Sequence, residues 1–277
     1  MSNLDNLKYL IKKNVSPRYL EIFSHKAVLI TKIPKEESTI SDLFVLRHED
    51  NWETSFECLQ LNNLIYPENK IKRMKVVFFF FSKKGRHLGE YKFSLPKKIK
   101  TTISVGSLAK KIGVKKDCLF AVFHPKINFG LTNHKSYLTE RGYIGYKNLK
   151  KGSIKGFVHG NLDAIAKSKI SNKYQLLGNY SFFKKKYILQ YSLNSNFVYE
   201  FYLVNSTNVI QKFKVIEISS SGKDKTILNI PPGGFFKHIR SVDKKGLKTN
   251  LIIESRLYLA RPVVFKLMNS SFDVFHG

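Results

Sequence analysis

The sequence predicts an all-β (mostly β) protein: two tandem β-sandwich or jelly-roll-like domains joined by an ordered irregular segment, with a short N-terminal helix. Three observations predict it. The 277 residues include 22 Phe and 14 Tyr, and aromatic and β-branched side chains suit a pleated, half-buried surface. Short apolar or alternating runs recur between turn signals, at the spacing of sandwich strands. The chain also carries a weak internal echo. Asn63 recurs as Asn205, Lys75-Val76 as Lys214-Val215, Gly85 as Gly222, Leu95-Pro96 as Ile230-Pro231, and Val122-Phe123 as Val264-Phe265. Two similar units point to binding or assembly more readily than to one central active site.

The elements follow in order. Leu4, Leu7 and Ile11 share one helical face, and Ser2 or Asn3 can cap that helix. From Asp42 the pattern turns β: Leu43 to Leu46 reads as a strand, and Trp52, Thr54, Phe56 and Cys58 alternate along another. Val76 to Phe81 is a solid apolar run, expected to be covered on both faces. Ser82-Lys83-Lys84-Gly85 makes a hairpin turn into Leu88 to Leu95. Ser104 to Gly113 reads as a short helix with Leu108 and Ile112 inward and Gly113 as its stop. Leu119 to His124 closes the first unit. In the second, strands are expected at 197–204, 213–218, 226–230, 251–258 and 263–267, separated by turns that include Pro231-Pro232-Gly233-Gly234. The expected division is 1–39 as helix and lead-in, 40–125 as the first sandwich, 126–186 as a Gly/Tyr/Lys-rich connecting segment, and 187–277 as the second sandwich.

The formal charge is +28, from 48 basic and 20 acidic residues. A field this positive attracts polyanions: nucleic acid, anionic glycan or an acidic membrane face. Lysine far outnumbers arginine, the residue that bidentate phosphate and base recognition favour. Two cysteines, Cys58 and Cys118, exclude a disulfide framework and a Cys-based zinc site, and read as buried thiols with a single bridge as the alternative. With no apolar run near membrane-spanning length and no export signal, the chain reads as a soluble cytoplasmic protein.

Several residues could carry chemistry. Three segments end alike, in His124, His159 and His276, each after an apolar stretch. Brought together they would make a metal or acid–base site; kept apart, each simply closes a strand. Glu140, Arg141, His159 and Asp163 would supply a base, an anion clamp and an oriented imidazole. On a structural account, Asn161 instead caps a short helix over 164–169, with Asp163 in its first turn. His48, Asp50 and Glu53 form an acidic patch that reads as a solvated surface. Arg261 reads as a ligand contact or an inter-domain pair. Interleaved Tyr and Lys from 137 to 187 suit stacking on sugars or bases beside anionic groups.

The leading expectation is therefore a non-catalytic binding or assembly protein that holds an anionic or glycan-like ligand at the inter-domain region. Its contacts would be Arg141, Tyr143, His159, Asn161 and Arg261, with no cofactor and no metal. A single-stranded RNA- or DNA-binding protein is one alternative. An enzyme acting on glycans through Glu140, His159 and Asp163 is the other.

Overall fold

The computed structural model describes residues 38–59, 75–123, 142–152, 155–159, 164–168, 170–178, 180–189, 193–194, 197–220, 222–241, 249–257 and 261–277. The expected N-terminal helix falls outside them. In chain order the strands are β1 (Ser38–Asp42), β2 (Phe44–Leu46), β3 (Trp52–Leu59), β4 (Lys75–Phe81), β5 (His87–Ser94) and β6 (Lys100–Ser104). Helix α1 (Val105–Lys111) precedes β7 (Cys118–Phe123), β8 (Tyr143–Asn148), β9 (Gly156–His159), β10 (Ala164–Ser168), β11 (Tyr174–Leu176) and β12 (Tyr180–Ile188). The remainder are β13 (Val198–Val204), β14 (Gln211–Ser219), β15 (Gly222–Ile230), β16 (Phe235–Ser241), β17 (Asn250–Leu257), β18 (Val263–Leu267) and β19 (Phe272–His276).

The all-β class holds, but the two tandem sandwiches do not. The strands sort into five small antiparallel sheets arranged as the blades of a five-bladed β-propeller. Blade one is β1-β10-β11, blade two β2-β7-β4-β5, blade three β6-β3-β8-β9, blade four β16-β13-β18-β19 and blade five β12-β17-β14-β15. Aromatic rings mark the contacts between blades. Tyr174 of blade one meets Phe79 of blade two at 5.1 Å between centroids, and Phe44 of blade two meets Phe56 of blade three at 5.5 Å. Trp52 and Tyr146 of blade three meet Phe265 of blade four at 5.2 and 4.8 Å. Tyr199 and Phe201 of blade four share an apolar cluster with Phe213 and Ile253 of blade five. A larger buried cluster runs from Leu43 through Ile165 to Val274, beside the one that joins blades four and five, so apolar burial does not divide the chain at the boundary between the expected sandwiches. Spacing and alternation in a sequence report strand length and which side is apolar; they do not report which strands share a ladder.

The middle segment is corrected as well. Rather than irregular structure, its described residues supply β8 to β11 and most of β12. The helix expected over 164–169 is strand β10, hydrogen-bonded between β1 and β11. Lys184-Lys185-Lys186, a run whose charge suits a solvated turn, lies within β12.

Other local expectations hold. β4 lies between β5 and β7 with Phe78 to Phe81 buried. Ser104 caps α1, and Gly113 follows it at φ +79°. Cys58 and Cys118 are buried thiols that form no disulfide. The strand order also repeats: adding ten to each number turns 2-7-4-5 into 12-17-14-15 and 6-3-8-9 into 16-13-18-19. The echo falls partly in this register, since Lys75-Val76 lies in β4 and Lys214-Val215 in β14, while the buried Leu95 directly follows β5 and the buried Ile230 ends β15. Val122-Phe123 in β7 and Val264-Phe265 in β18 lie out of it.

Arg47 ties the first half of the chain to the second. Its side chain is 1% exposed and forms a close ion pair with Glu200 of β13. Asp117 lies 3.7 Å from the same guanidinium. The guanidinium carbon sits 4.2 Å from the Trp52 ring and 4.7 Å from the Phe265 ring. A charge this deep persists only when paired and packed in this manner.

Candidate ligand-binding face

Alternation along β3 builds the candidate face. Trp52, Thr54, Phe56 and Cys58 point inward and are buried, which turns Ser55 and Glu57 to the opposite side. Register then sets two rows across blade three. The first runs Thr102, Glu57, Tyr143, His159, and the second runs Ser104, Ser55, Gly145, Phe157. Directly opposed side chains on one face lie about 5 Å apart at Cβ, so each row is a line of adjacent groups.

Glu57, although on the outward side, is buried and anchors the first row. Thr102 donates its hydroxyl to the carboxylate, at 3.0 and 2.9 Å from its two oxygens, and Lys100 Nζ lies 3.1 Å away. The Tyr143 and His159 rings follow at 4.5 Å between centroids, tilted by 46°, and both residues are exposed. In the second row, a Cβ on Gly145 would come within 2.8 Å of Phe157 Cε1 and 2.7 Å of Ser55 Oγ. Glycine there lets the half-exposed Phe157 ring lie close over the sheet.

At its β9 edge this face meets β19 from blade four. A Cβ on Gly156 would collide with Val274, and that close approach requires glycine. His276 Nε2 lies 2.8 Å from the His159 carbonyl oxygen; a carbonyl only accepts, so Nε2 carries the proton. Burial holds the His276 imidazole below its ordinary 6.5, outweighing the bond to the His159 carbonyl, and the positive charges of Arg261 and His159 act in the same direction. Arg261 is exposed and hydrogen-bonds Tyr187.

Of the expected site residues, the structure brings together Tyr143, His159, His276 and Arg261. His124, Glu140, Arg141, Asn161 and Asp163 lie outside the described residues. Two of the three echoed histidines do meet, but through the His159 backbone, and among the described residues no group of three or more metal-ligating side chains occurs. His48 and Glu49 use their backbone N–H groups on Asp117 at 2.7 and 3.0 Å. Sequence reasoning missed Glu57, Lys100, Thr102 and Phe157. The signal for Glu57 was present, as an odd position in an alternating strand, but its neighbours depend on register.

A second polar cluster bridges blades four and five. Glu217 of β14 lies 3.0 Å from His238 Nε2 and 2.7 Å from Arg240 Nε, both of β16. The His238 hydrogen bond, followed by the Arg240 charge, holds the Glu217 carboxyl below its ordinary 4.5 against the opposing effect of burial. With both carboxylate oxygens engaged between two blades, the cluster fastens them together.

No family model matches the chain, and no curated protein matches it. Solved structures similar to it include a β-glucuronidase from glycoside hydrolase family 2, at 9% identity and a TM-score of 0.16, covering 90% of this chain and 24% of that one. Another is a glycosyl hydrolase family 2 member from Bacteroides cellulosilyticus DSM 14838, at 8% identity and a TM-score of 0.15, covering 90% and 30%. The chain therefore spans about a quarter to a third of those enzymes' length, and likeness this low carries neither fold nor activity across. Among the described residues, no helix is long and apolar enough to cross a membrane.

Proposed function

We propose that the protein is a non-catalytic binding or assembly protein that holds an anionic or glycan-like ligand on the outer face of blade three, where β9 borders β19. The observation that supports it is the unbroken row Thr102–Glu57–Tyr143–His159, flanked by Phe157. Aromatic rings stack on the apolar faces of sugars, and the exposed Thr102 hydroxyl and His159 imidazole stand at the two ends of the row for polar contacts, with Glu57 buried between them. Lys100 beside the row and Arg261 near its far end favour a ligand carrying carboxylate or sulfate.

Among the described residues, the carboxylates of β3 are not spaced for hydrolysis. Glycoside hydrolysis uses two carboxylates separated by about 5–9.5 Å. Glu53, the next outward carboxylate along β3, lies four residues from Glu57, about 13 Å at ~3.3 Å per residue. Glu57 is itself held by Thr102 and Lys100.

The test is calorimetric titration with a sulfated oligosaccharide and with its unsulfated counterpart. Tyr143→Ala and Arg261→Gln are each expected to weaken binding of the sulfated form about tenfold or more and to leave the melting temperature unchanged. Unchanged affinity in both variants would refute the reading, and parallel loss of affinity and melting temperature would make these residues structural. A single-stranded oligonucleotide serves as the control. Tighter binding to it, falling steeply with salt, would transfer the reading to nucleic acid.

A further inference from the structure

Blade five presents a second surface, separate from the candidate ligand face. The sides of β12, β17, β14 and β15 that carry Tyr187, Ile253, Val215 and Leu228 pack against blade four. The opposite sides form two rows read from the register. One runs Lys186, Glu254, Lys214, Ile227, and the other Ile188, Ile252, Ile216, Lys225. Ile188 is 60% exposed and Ile227 56% exposed, whereas Ile252 is half-buried and Ile216 buried, so the exposed isoleucines of these rows lie on the outer strands β12 and β15. Lysines outnumber the single carboxylate of these rows, and Glu254 is already paired with Lys214 at 3.1 Å. Lys223, opposite Ile218, adds to the same side.

The free edge of this blade carries an unusual bulge. Tyr180 faces Leu257 and Lys185 faces Ser255, so β12 takes five residue steps where β17 takes two. The surplus chain turns both Phe182 and Phe183 outward, at 75% and 55% exposure, whereas a regular strand would send consecutive side chains to opposite faces. Their rings meet edge to face at 5.2 Å. Lys184 follows directly and lies within electrostatic reach of Glu254, which sets the bulge beside the lysine–isoleucine face.

We infer that this face and its Phe182–Phe183 bulge form a docking surface for an anionic phospholipid bilayer. The occupant is chosen by charge and by side-chain type. Lysines beside an acidic leaflet gain electrostatic attraction without bidentate geometry, and exposed Ile and Phe side chains gain by leaving water for the acyl boundary. A single-stranded nucleic acid would answer the charge, but isoleucine offers no stacking plane. The two phenylalanines, set edge to face, do not form a shared platform for successive bases.

The test is co-sedimentation of the whole chain with phosphatidylcholine vesicles, with and without phosphatidylserine. Binding is expected only with phosphatidylserine and is expected to weaken as salt rises. Lys223→Gln/Lys225→Gln is expected to reduce partitioning roughly fivefold per lysine removed, and Phe182→Ala/Phe183→Ala about tenfold or more. Both double variants alter exposed side chains and should melt with the parent, a control measured alongside. The Phe182→Trp variant is expected to shift its emission to shorter wavelength on adding phosphatidylserine vesicles, because the native Trp52 is buried away from this contact. Equal sedimentation with both vesicle types, an unmoved emission spectrum of the Phe182→Trp variant, or affinity indifferent to the phenylalanines would overturn the inference. So would displacement from vesicles by an oligonucleotide that binds this face more tightly. The surface is independent of blade three, so failure here leaves the sulfated-ligand test untouched.

Discussion

Replacing Arg47 by Met removes a buried cation and keeps most of its volume, and the structure apportions what is lost. Asp117 keeps three donors: the His48 and Glu49 backbone N–H groups at 2.7 and 3.0 Å and the Tyr202 hydroxyl at 2.7 Å. Among the described residues, Glu200 keeps only weaker company in Lys237 at 3.8 Å, so the substitution strands one largely buried carboxylate. Breaking a buried ion pair from one side costs about 3–5 kcal/mol. Lost contact between the guanidinium and the Trp52 and Phe265 rings adds about 1 kcal/mol. For a chain of this size that corresponds to a melting temperature lower by about 10 °C or more. Glu200→Gln removes the stranded charge, so the double variant Arg47→Met/Glu200→Gln should recover much of the loss, with a coupling energy of about 2 kcal/mol or more. The assay is denaturant unfolding followed by tryptophan fluorescence, since Trp52 is the only tryptophan and lies 4.2 Å from the guanidinium. A loss below about 1 kcal/mol for Arg47→Met, or additive single variants, would refute the view that this pair locks the β2–β3 connection to blade four.

Two further outcomes are expected. Glu217 has its folded-state value held below 4.5, so its contribution is present above pH 4.5 and lost as pH falls through the folded value; Glu217→Gln should flatten that acid limb in pH-dependent unfolding, and an unaltered limb would remove Glu217 as its source. Gly156→Ala should destabilise the chain by about 1–3 kcal/mol through overpacking against Val274, and adding Val274→Ala should recover part of it, which equilibrium unfolding of the three variants checks.

Much of the local structure was legible in the sequence. The alternation at Trp52, Thr54, Phe56 and Cys58, the covered run at Val76 to Phe81 and the helix opened by Ser104 all depend on neighbours within a few residues, and all are present. The misreadings were also local in origin. Residues 164–168 satisfy a capping pattern, yet pairing with β1 and β11 overrides that preference. Lys184 to Lys186 look like a solvated turn, but they form the edge of a blade whose other strands come from much later in the chain. On the candidate face, Tyr143 and His159 were singled out from an aromatic- and lysine-rich segment. Glu57 and Thr102 were not, because a carboxylate 86 positions from Tyr143 in the sequence becomes its neighbour only through register.

By itself, then, the sequence determined the β class, the strong positive charge, the inward face of each clear strand and a partial echo between its halves. These follow from side-chain chemistry and from the period of two that every strand imposes. Only the tertiary structure decided that the strands form five blades, that Arg47 meets Glu200, and that Thr102, Glu57, Tyr143 and His159 stand in one row. Each of those depends on strand pairing between distant segments, where shifting the register by a single residue would turn every side chain to the opposite face.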